Sequence, residues 1–381
     1  MSRFGRMPPS LPFVDLKSQY ARLKPSIDAR LRRVLDHGQY ILGPEVAELE
    51  AELAKFCGAS FCVTVASGTE ALRLPLMVEE IGTGDAVFLP AFTFPATAEV
   101  VVALGATPVF VDVAENTYNL DPAALEAAVV QTRRAGKLRP RAVMPVDLFG
   151  LPADYAAIGT IAAQHGLFVL ADAAQSFGAK VGNRAVGTLA PVTATSFFPA
   201  KPLGAYGEGG AIFTEDAAVA KTLCSIRAHG AGDDRYDIVR LGTNARLDTL
   251  QAAVLLAKLE IFADELLARE RLAAEYDRLL GSTVVRPPRH RDMLGAWAQY
   301  CVRVPNRDAV REQLGGKGIP TAIYYPKPLH FQPAYQRFGE GPGSLPVSEK
   351  VSREILALPM HPYLDEATVA MIAKALMEAA A

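Results

Sequence analysis

The chain is poor in cysteine, with Cys57, Cys62, Cys224 and Cys301 as its 4 and no CxxC pair among 381 residues. That excludes a zinc module or a disulfide scaffold, and the reducing cytoplasm is the expected compartment. It also lacks an excess of charge: 39 Lys and Arg stand against 41 Asp and Glu, a net −2, so there is no positive field to hold a nucleic acid. No apolar run approaches the roughly 20 residues of a membrane span. The opening MSRFGRMPPSLPF is broken by Arg, Gly and Pro before any stretch of signal-peptide length. GxGxxG after the first strand pattern, GxxxxGK[ST], HExxH and GxSxG are missing as well, and the enzyme classes they mark lose their main support.

What is present is ordinary globular composition, 50% hydrophobic and 21% charged, on a length that suits two or three domains. Short β-branched or aromatic runs recur at Phe61–Ala66, Ala86–Pro90, Pro108–Val113, Arg141–Asp147, Leu167–Asp172, Thr193–Phe198 and Gly210–Thr214. Helical spacing between them, as in Pro122–Val130 and Tyr155–His165, predicts crossover connections, hence an α/β fold with a largely parallel sheet. The last two runs are joined only by PAKPLGAYGEG, too short and too Gly-rich for a crossover helix. There the sheet should turn antiparallel, with the loop at its end near a ligand.

After Arg246 an amphipathic stretch places Leu250, Val254, Leu255, Leu259, Phe262, Leu266 and Leu267 on one helical face and leads out of the large domain. Pro287–Pro288 marks a break, followed by a strand at Gln299–Val304 and helices near Arg307–Gly315 and Asp365–Ala379, a smaller α+β C-terminal domain. This divides the chain into a large domain, 1–250, whose N-terminal helix is free to pack on the small one, and a small domain, 251–381. Pro75 inside the helical pattern Glu70–Glu80 opposes local propensity by about 3 kcal/mol and predicts a kink.

Three elements could carry chemistry. Ser67, Gly68 and Thr69 leave a predicted strand and open a predicted helix; they suit either a phosphate on exposed N–H groups or a plain helix cap. Asp172 ends an apolar strand, at the sheet edge where ligands gather. It could cap a helix or hold a cation such as a protonated ring nitrogen; nothing follows it at metal-ligand spacing, so no metal is expected. Lys201, in SFFPAKPLGAYGEGG, would alone read as a solvated charge. Together, lysine for a Schiff base, acid for a pyridine nitrogen and nest for a phosphate make the parts of a pyridoxal 5'-phosphate site.

The runs SGTEAL, FLPAFTFPATAEV, DAAQSFGA, SFFPAKPLGAYGEGGAIFT and GTNARLDTLQAA, in this order, resemble the DegT/DnrJ/EryC1/StrS sugar aminotransferases, from about Leu11 to the C-terminus. The resemblance implies an aspartate-aminotransferase-like (type I) fold with a mainly parallel seven-stranded sheet. By position, Lys201 looks like the cofactor-bearing lysine, Asp172 like the pyridinium partner and Gln175 like the residue beside the cofactor's phenolic oxygen. Gly68, Thr69 and Ser196 resemble phosphate binders, and Phe94 the aromatic ring that stacks on the cofactor. Asn244 and Arg246 match a segment that crosses from the neighbouring subunit, Asn towards the cofactor phosphate and Arg towards the substrate, which implies a homodimer. Each also has a plainer role: Phe94 in a core, Gln175 and Ser196 on backbone groups, Asn244 in a turn, Arg246 in an ion pair. His330 lies where the family often carries a sugar-facing histidine; the other five histidines carry no spacing signal.

A dehydratase branch of the family has histidine in place of the lysine, so Lys201 implies transamination, from L-glutamate to a nucleotide-linked keto-sugar. HGQYILGPEV, SFFPAKPLGAYGEGGAIFT, RLDTLQAAVLLAKLEIF and LPMHPYLD look most like the transaminases acting at C3 of UDP-2-acetamido-2-deoxy-3-oxo-hexuronate, for bacterial surface polysaccharide such as lipopolysaccharide. Arg246 would then pair with an anionic group of that substrate. Two positions depart from the pattern, Tyr324 where many relatives have histidine and Lys327 where an apolar residue is common. They leave open a dTDP- or GDP-linked 3-keto- or 4-keto-6-deoxyhexose, with Tyr324 among the substrate-facing residues. A non-catalytic, cofactor-binding regulatory member and an amino-acid aminotransferase of the same fold are the readings from other classes.

Overall fold

The computed structural model describes residues 11–381, and the signal-peptide reading of residues 1–10 lies outside the described residues. Helices α1 (Leu16–His37) and α2 (Pro44–Cys57) lead into an alternation of β1 (Phe61–Val65), α3 (Gly68–Val78), β2 (Asp85–Pro90), α4 (Ala96–Ala103), β3 (Thr107–Val111), α5 (Pro122–Ala135), β4 (Arg139–Val143), α6 (Tyr155–His165) and β5 (Phe168–Asp172). A short ribbon, β6 (Lys180–Val181) and β7 (Arg184–Ala185), precedes β8 (Val192–Ser196), β9 (Gly210–Thr214) and α7 (Ala217–Ile226). Aspartates 121, 154 and 216 cap α5, α6 and α7 through their side chains, and left-handed Gly136 and Gly166 end α5 and α6.

The sheet runs β1-β9-β8-β5-β4-β2-β3. β9 is antiparallel to both β1 and β8, while the β8–β5, β5–β4, β4–β2 and β2–β3 pairs are parallel, as the short Lys201 loop requires. Helices cover both faces, so strands such as GAIFT in β9 and DAVFLP in β2 are buried along their whole length and, Asp85 apart, read as apolar runs. α3 continues through the buried Pro75 to Val78.

α8 (Thr249–Leu280) joins two cores. Ala252, Leu255, Leu256, Phe262 and Leu266 pack with Leu49, Phe177, Phe197 and Phe213 of the sheet side, whereas Leu272, Ala273, Tyr276 and Leu280 pack with the C-terminal elements. The expected division at 250/251 thus falls where this helix begins. α1 lies along its first half, Leu23 and Ile27 against Val254 and Ala257. Leu267, expected on the apolar face, is 52% exposed, because the buried row continues through 262 and 266, four residues apart. Lys258, Glu265 and Arg269 are buried instead.

The remaining elements are β10 (Met293–Leu294), β11 (Tyr300–Arg303), α9 (Arg307–Gly316), α10 (Pro346–Glu354), β12 (Ile355–Leu358) and α11 (Glu366–Ala380). β11 pairs antiparallel with β12, and β10 pairs with β6. α10 and β12 were not anticipated, since ILAL is too short to show a period and follows a helix without a Gly or Pro to mark the change. Among the described residues no helix is long and apolar enough to cross a membrane.

Candidate active site

β5 and β8 run side by side, with Asp172 paired to Ala194, so both strands deliver their C-terminal ends to one edge of the sheet. Ser196 ends β8 there, and the loop to β9 turns back with the Lys201 N–H donating to the Phe198 carbonyl at 2.9 Å. At the same edge Ser67 caps α3, accepting from the Glu70 N–H at 3.1 Å. Gly68 follows it and sits against Ser196: a Cβ on Gly68 would lie 2.9 Å from the Ser196 hydroxyl oxygen. The structure therefore brings together the helix start, Asp172, Ser196 and the lysine loop.

Asp172 is buried; the Thr97 hydroxyl donates to its Oδ2 at 2.8 Å and the Ala174 N–H to its Oδ1 at 3.2 Å. Burial raises its carboxyl above the usual range, against the pull of those two donors and of the Lys201 charge. For Lys201 the sign reverses: burial pushes the ammonium down and Asp172 holds it up. The two groups feel each other across a poorly solvated space.

Gln175 is held at both ends of its amide, its Oε1 accepting from the Phe149 N–H at 2.8 Å and its Nε2 donating to the Tyr325 hydroxyl at 3.3 Å. The Tyr325 ring lies 6.2 Å from that of Phe94, which is 55% exposed rather than in a core. Behind this layer, buried Asp147 accepts from the Ser176 hydroxyl at 2.6 Å, the Tyr155 hydroxyl at 2.7 Å and the Ala153 N–H at 2.8 Å. Burial pushes its carboxyl up to about 7, against those donors and helped by nearby Asp172.

Asn244 is exposed, and its segment is tied to this chain by Ala66 N–H to Ala245 O at 2.9 Å and by Arg73 to the Thr243 hydroxyl at 2.9 Å. Arg246 is half-buried and its Nε has no partner. Tyr324 is half-buried between Phe13 and Tyr325. His330 is not brought into the group: it is fully buried, with Nε2 3.3 Å from Glu349, which also accepts from the Gly343 N–H. Tyr325, Thr97 and Asp147 are the residues sequence reasoning missed; the only signal for Tyr325 was an aromatic pair lodged before a proline.

The set is one amine, one buried acid without a second ligand, one exposed aromatic face and one helix start beside a hydroxyl. These suit a flat, cationic-ring phosphate ester such as pyridoxal phosphate. Among the described residues no group of three or more His, Cys, Asp or Glu could hold a metal ion.

The family model for the DegT/DnrJ/EryC1/StrS aminotransferase family matches residues 22–377. A UDP-2-acetamido-2-deoxy-3-oxo-D-glucuronate aminotransferase of Pseudomonas aeruginosa is 49% identical over 365 residues, 96% of this chain and 99% of the relative. The crystal structure of a DegT DnrJ EryC1 StrS aminotransferase from Brucella abortus superposes with a TM-score of 0.94 at 51% identity, covering 96% of this chain and 98% of that one. NtdA from Bacillus subtilis, solved with the cofactor PMP bound, matches with a TM-score of 0.86 at 26% identity over 97% of this chain and 85% of its own. The chain belongs to the DegT/DnrJ/EryC1/StrS aminotransferase family.

Proposed function

We propose that this member of the DegT/DnrJ/EryC1/StrS aminotransferases binds pyridoxal 5'-phosphate and moves the amino group of L-glutamate to C3 of UDP-2-acetamido-2-deoxy-3-oxo-hexuronate, on the way to a bacterial surface polysaccharide. The observation that carries the reading is geometric: buried Asp172 at the end of β5 and the Lys201 loop that follows the adjoining β8 lie at one edge of the sheet, beside the exposed ring of Phe94. The 49% identity to the Pseudomonas enzyme, over nearly the full length of both chains, supports the substrate.

When bound, the cofactor supplies an electron sink for a carbon that loses a proton and a carrier for the amino group. Asp172 would hold its ring nitrogen, Gly68, Thr69 and Ser196 its phosphate, Phe94 its face and Gln175 its phenolic oxygen. Burial lowers the affinity of Lys201 for a proton and so favours the neutral amine, whose Nζ would take the proton from the α-carbon of the donor and, as a general acid, deliver it to the cofactor's aldehyde carbon. Thr97 and Ala174 fix Asp172 through one bond to each carboxylate oxygen. Phe149 and Tyr325 fix the Gln175 amide, so neither residue must reorganise during turnover. Arg246 would receive an anionic group of the substrate held in the neighbouring subunit's site, and Tyr324 would face the substrate in its own.

The domain pair, 1–250 and 251–381, would work as a homodimer with Asn244 and Arg246 serving the neighbouring site. The turn just before Asn244 supports this, since Tyr236 (76%), Ile238 (55%), Val239 (52%) and Leu241 (89%) leave apolar side chains exposed. Its four unpaired cysteines suit the cytoplasm. The test is a panel of UDP-, dTDP- and GDP-linked keto-sugars with L-glutamate, scored by mass spectrometry of the amino-sugar product. Amination of the UDP-linked 3-oxo-hexuronate is expected; product from a dTDP-linked ketohexose alone would move the substrate, and turnover between two keto acids alone would overturn the sugar reading.

A further inference from the structure

Two polar side chains of α8, Gln251 and Lys258, stand seven residues and so about two turns apart on one face. Both reach the loop that bears Lys201. The Lys258 ammonium donates to the Gly204 carbonyl at 2.6 Å and lies 4.1 Å from the centroid of the Tyr206 ring. The Gln251 Oε1 accepts from the Tyr206 N–H at 2.9 Å.

Lys258 is only 1% exposed, and its neighbours on the helix, Val254, Leu255 and Ala257, are buried apolar residues. A methionine would fill that space without the cost of burying a charge, so packing alone does not account for the ammonium. The Gly204 carbonyl, by contrast, is a demanding point in the loop. A Cβ at Gly204 would come within 2.4 Å of the Pro199 carbonyl oxygen and 2.8 Å of that of Phe198. The chain thus closes back on itself at Gly204, and the Ala205 N–H to Phe197 carbonyl bond at 2.8 Å seals the arc with Lys201 inside it.

We propose that Lys258, with Gln251, is a positioning residue that clamps the 198–209 loop to α8 and so sets where Lys201 stands relative to Asp172. The proposal rests on Lys201 being the cofactor lysine. The charged and titratable groups around the ammonium are Tyr206 from the loop, Tyr20 of α1 edge-on to the Tyr206 ring, and Glu265 two turns further along α8, itself bonded by Gln19 and Tyr363. Burial pushes Lys258 down to about 8, with Glu265 opposing. Its grip on the carbonyl is charge-assisted below that pH and weaker above it.

The test has one arm without cofactor and one with it. In cofactor-free protein, amide hydrogen exchange at Ala205 is expected to quicken by about tenfold in Lys258→Met and to return towards wild type in Lys258→Arg. After loading with pyridoxal phosphate, the pH midpoint of the visible absorption is expected to move by about half a unit in Lys258→Met and less in Lys258→Arg. A folded Lys258→Met with wild-type exchange and an unmoved midpoint overturns the clamp. If that variant does not fold, Gln251→Ala decides at Ala205, whose own acceptor is the Phe197 carbonyl: faster exchange there supports the clamp and unchanged exchange overturns it. A wild-type protein that takes up no pyridoxal phosphate, yet shows the exchange differences, would defeat the cofactor reading and sustain the clamp.

Discussion

Gly68 at the start of α3 approaches Ser196 at the end of β8 so closely that a Cβ on the glycine would stand 2.6 Å from the serine Cβ. Helix start and strand end are thereby locked into one concave corner. Gly68→Ala must push them apart, at a cost of about 1–3 kcal/mol by the usual scale of overpacking. The affinity for pyridoxal phosphate should fall by about tenfold or more. Urea melts of the cofactor-free variant and titration with the cofactor measure the two effects separately.

Lys201→Ala removes the proposed acid–base group and cofactor attachment. Turnover should drop by at least about 10²–10⁴-fold, the usual worth of such a group, with loss of the visible absorption of the attached cofactor. Full activity in this variant would remove the basis of the assignment.

Asp147 gives a pH dependence of known sign. Its carboxyl is raised from 3.8 to about 7 in the folded protein. Between those values the folded chain keeps a proton that the unfolded chain has released. This contribution to stability is therefore full below about pH 4 and disappears as pH rises through about 7. Asp147→Asn should flatten that part of the stability curve, as read from urea unfolding of the cofactor-free protein at pH 5 and pH 7.5.

Leu241→Glu places a charge on the most exposed of the apolar side chains beside Asn244. If a second copy covers that turn, the variant should shift from dimer to monomer in light scattering and lose sugar turnover together with it, while circular dichroism stays unchanged. A wild-type protein that is monomeric at micromolar concentration would remove the shared-site reading.

Much of the sheet was legible because strands buried on both faces, such as GAIFT of β9, are written in mainly apolar or β-branched runs, and because the loop around Lys201 was too short to hold a crossover helix. Asp172 and Lys201 could be read as partners since the topology brings strand ends to one edge. Tyr325 could not, because it lies in an irregular segment whose path to Gln175 depends on how the C-terminal elements dock. His330 poses a related difficulty: a position in the chain says nothing of which way a ring points, and here its Nε2 lies 3.3 Å from Glu349. Lys258 was hidden by its type, since a lysine on an amphipathic helix reads as a solvent-side residue.

One unbroken helix, α8, is half embedded in each of two apolar interiors. Cutting the gene at residue 250 would strip a wall from the first body and leave the second dragging a naked greasy rod, so neither fragment is a sound candidate for separate expression. Heat should likewise find no seam to open first: the halves share a structural member, and they would come apart together.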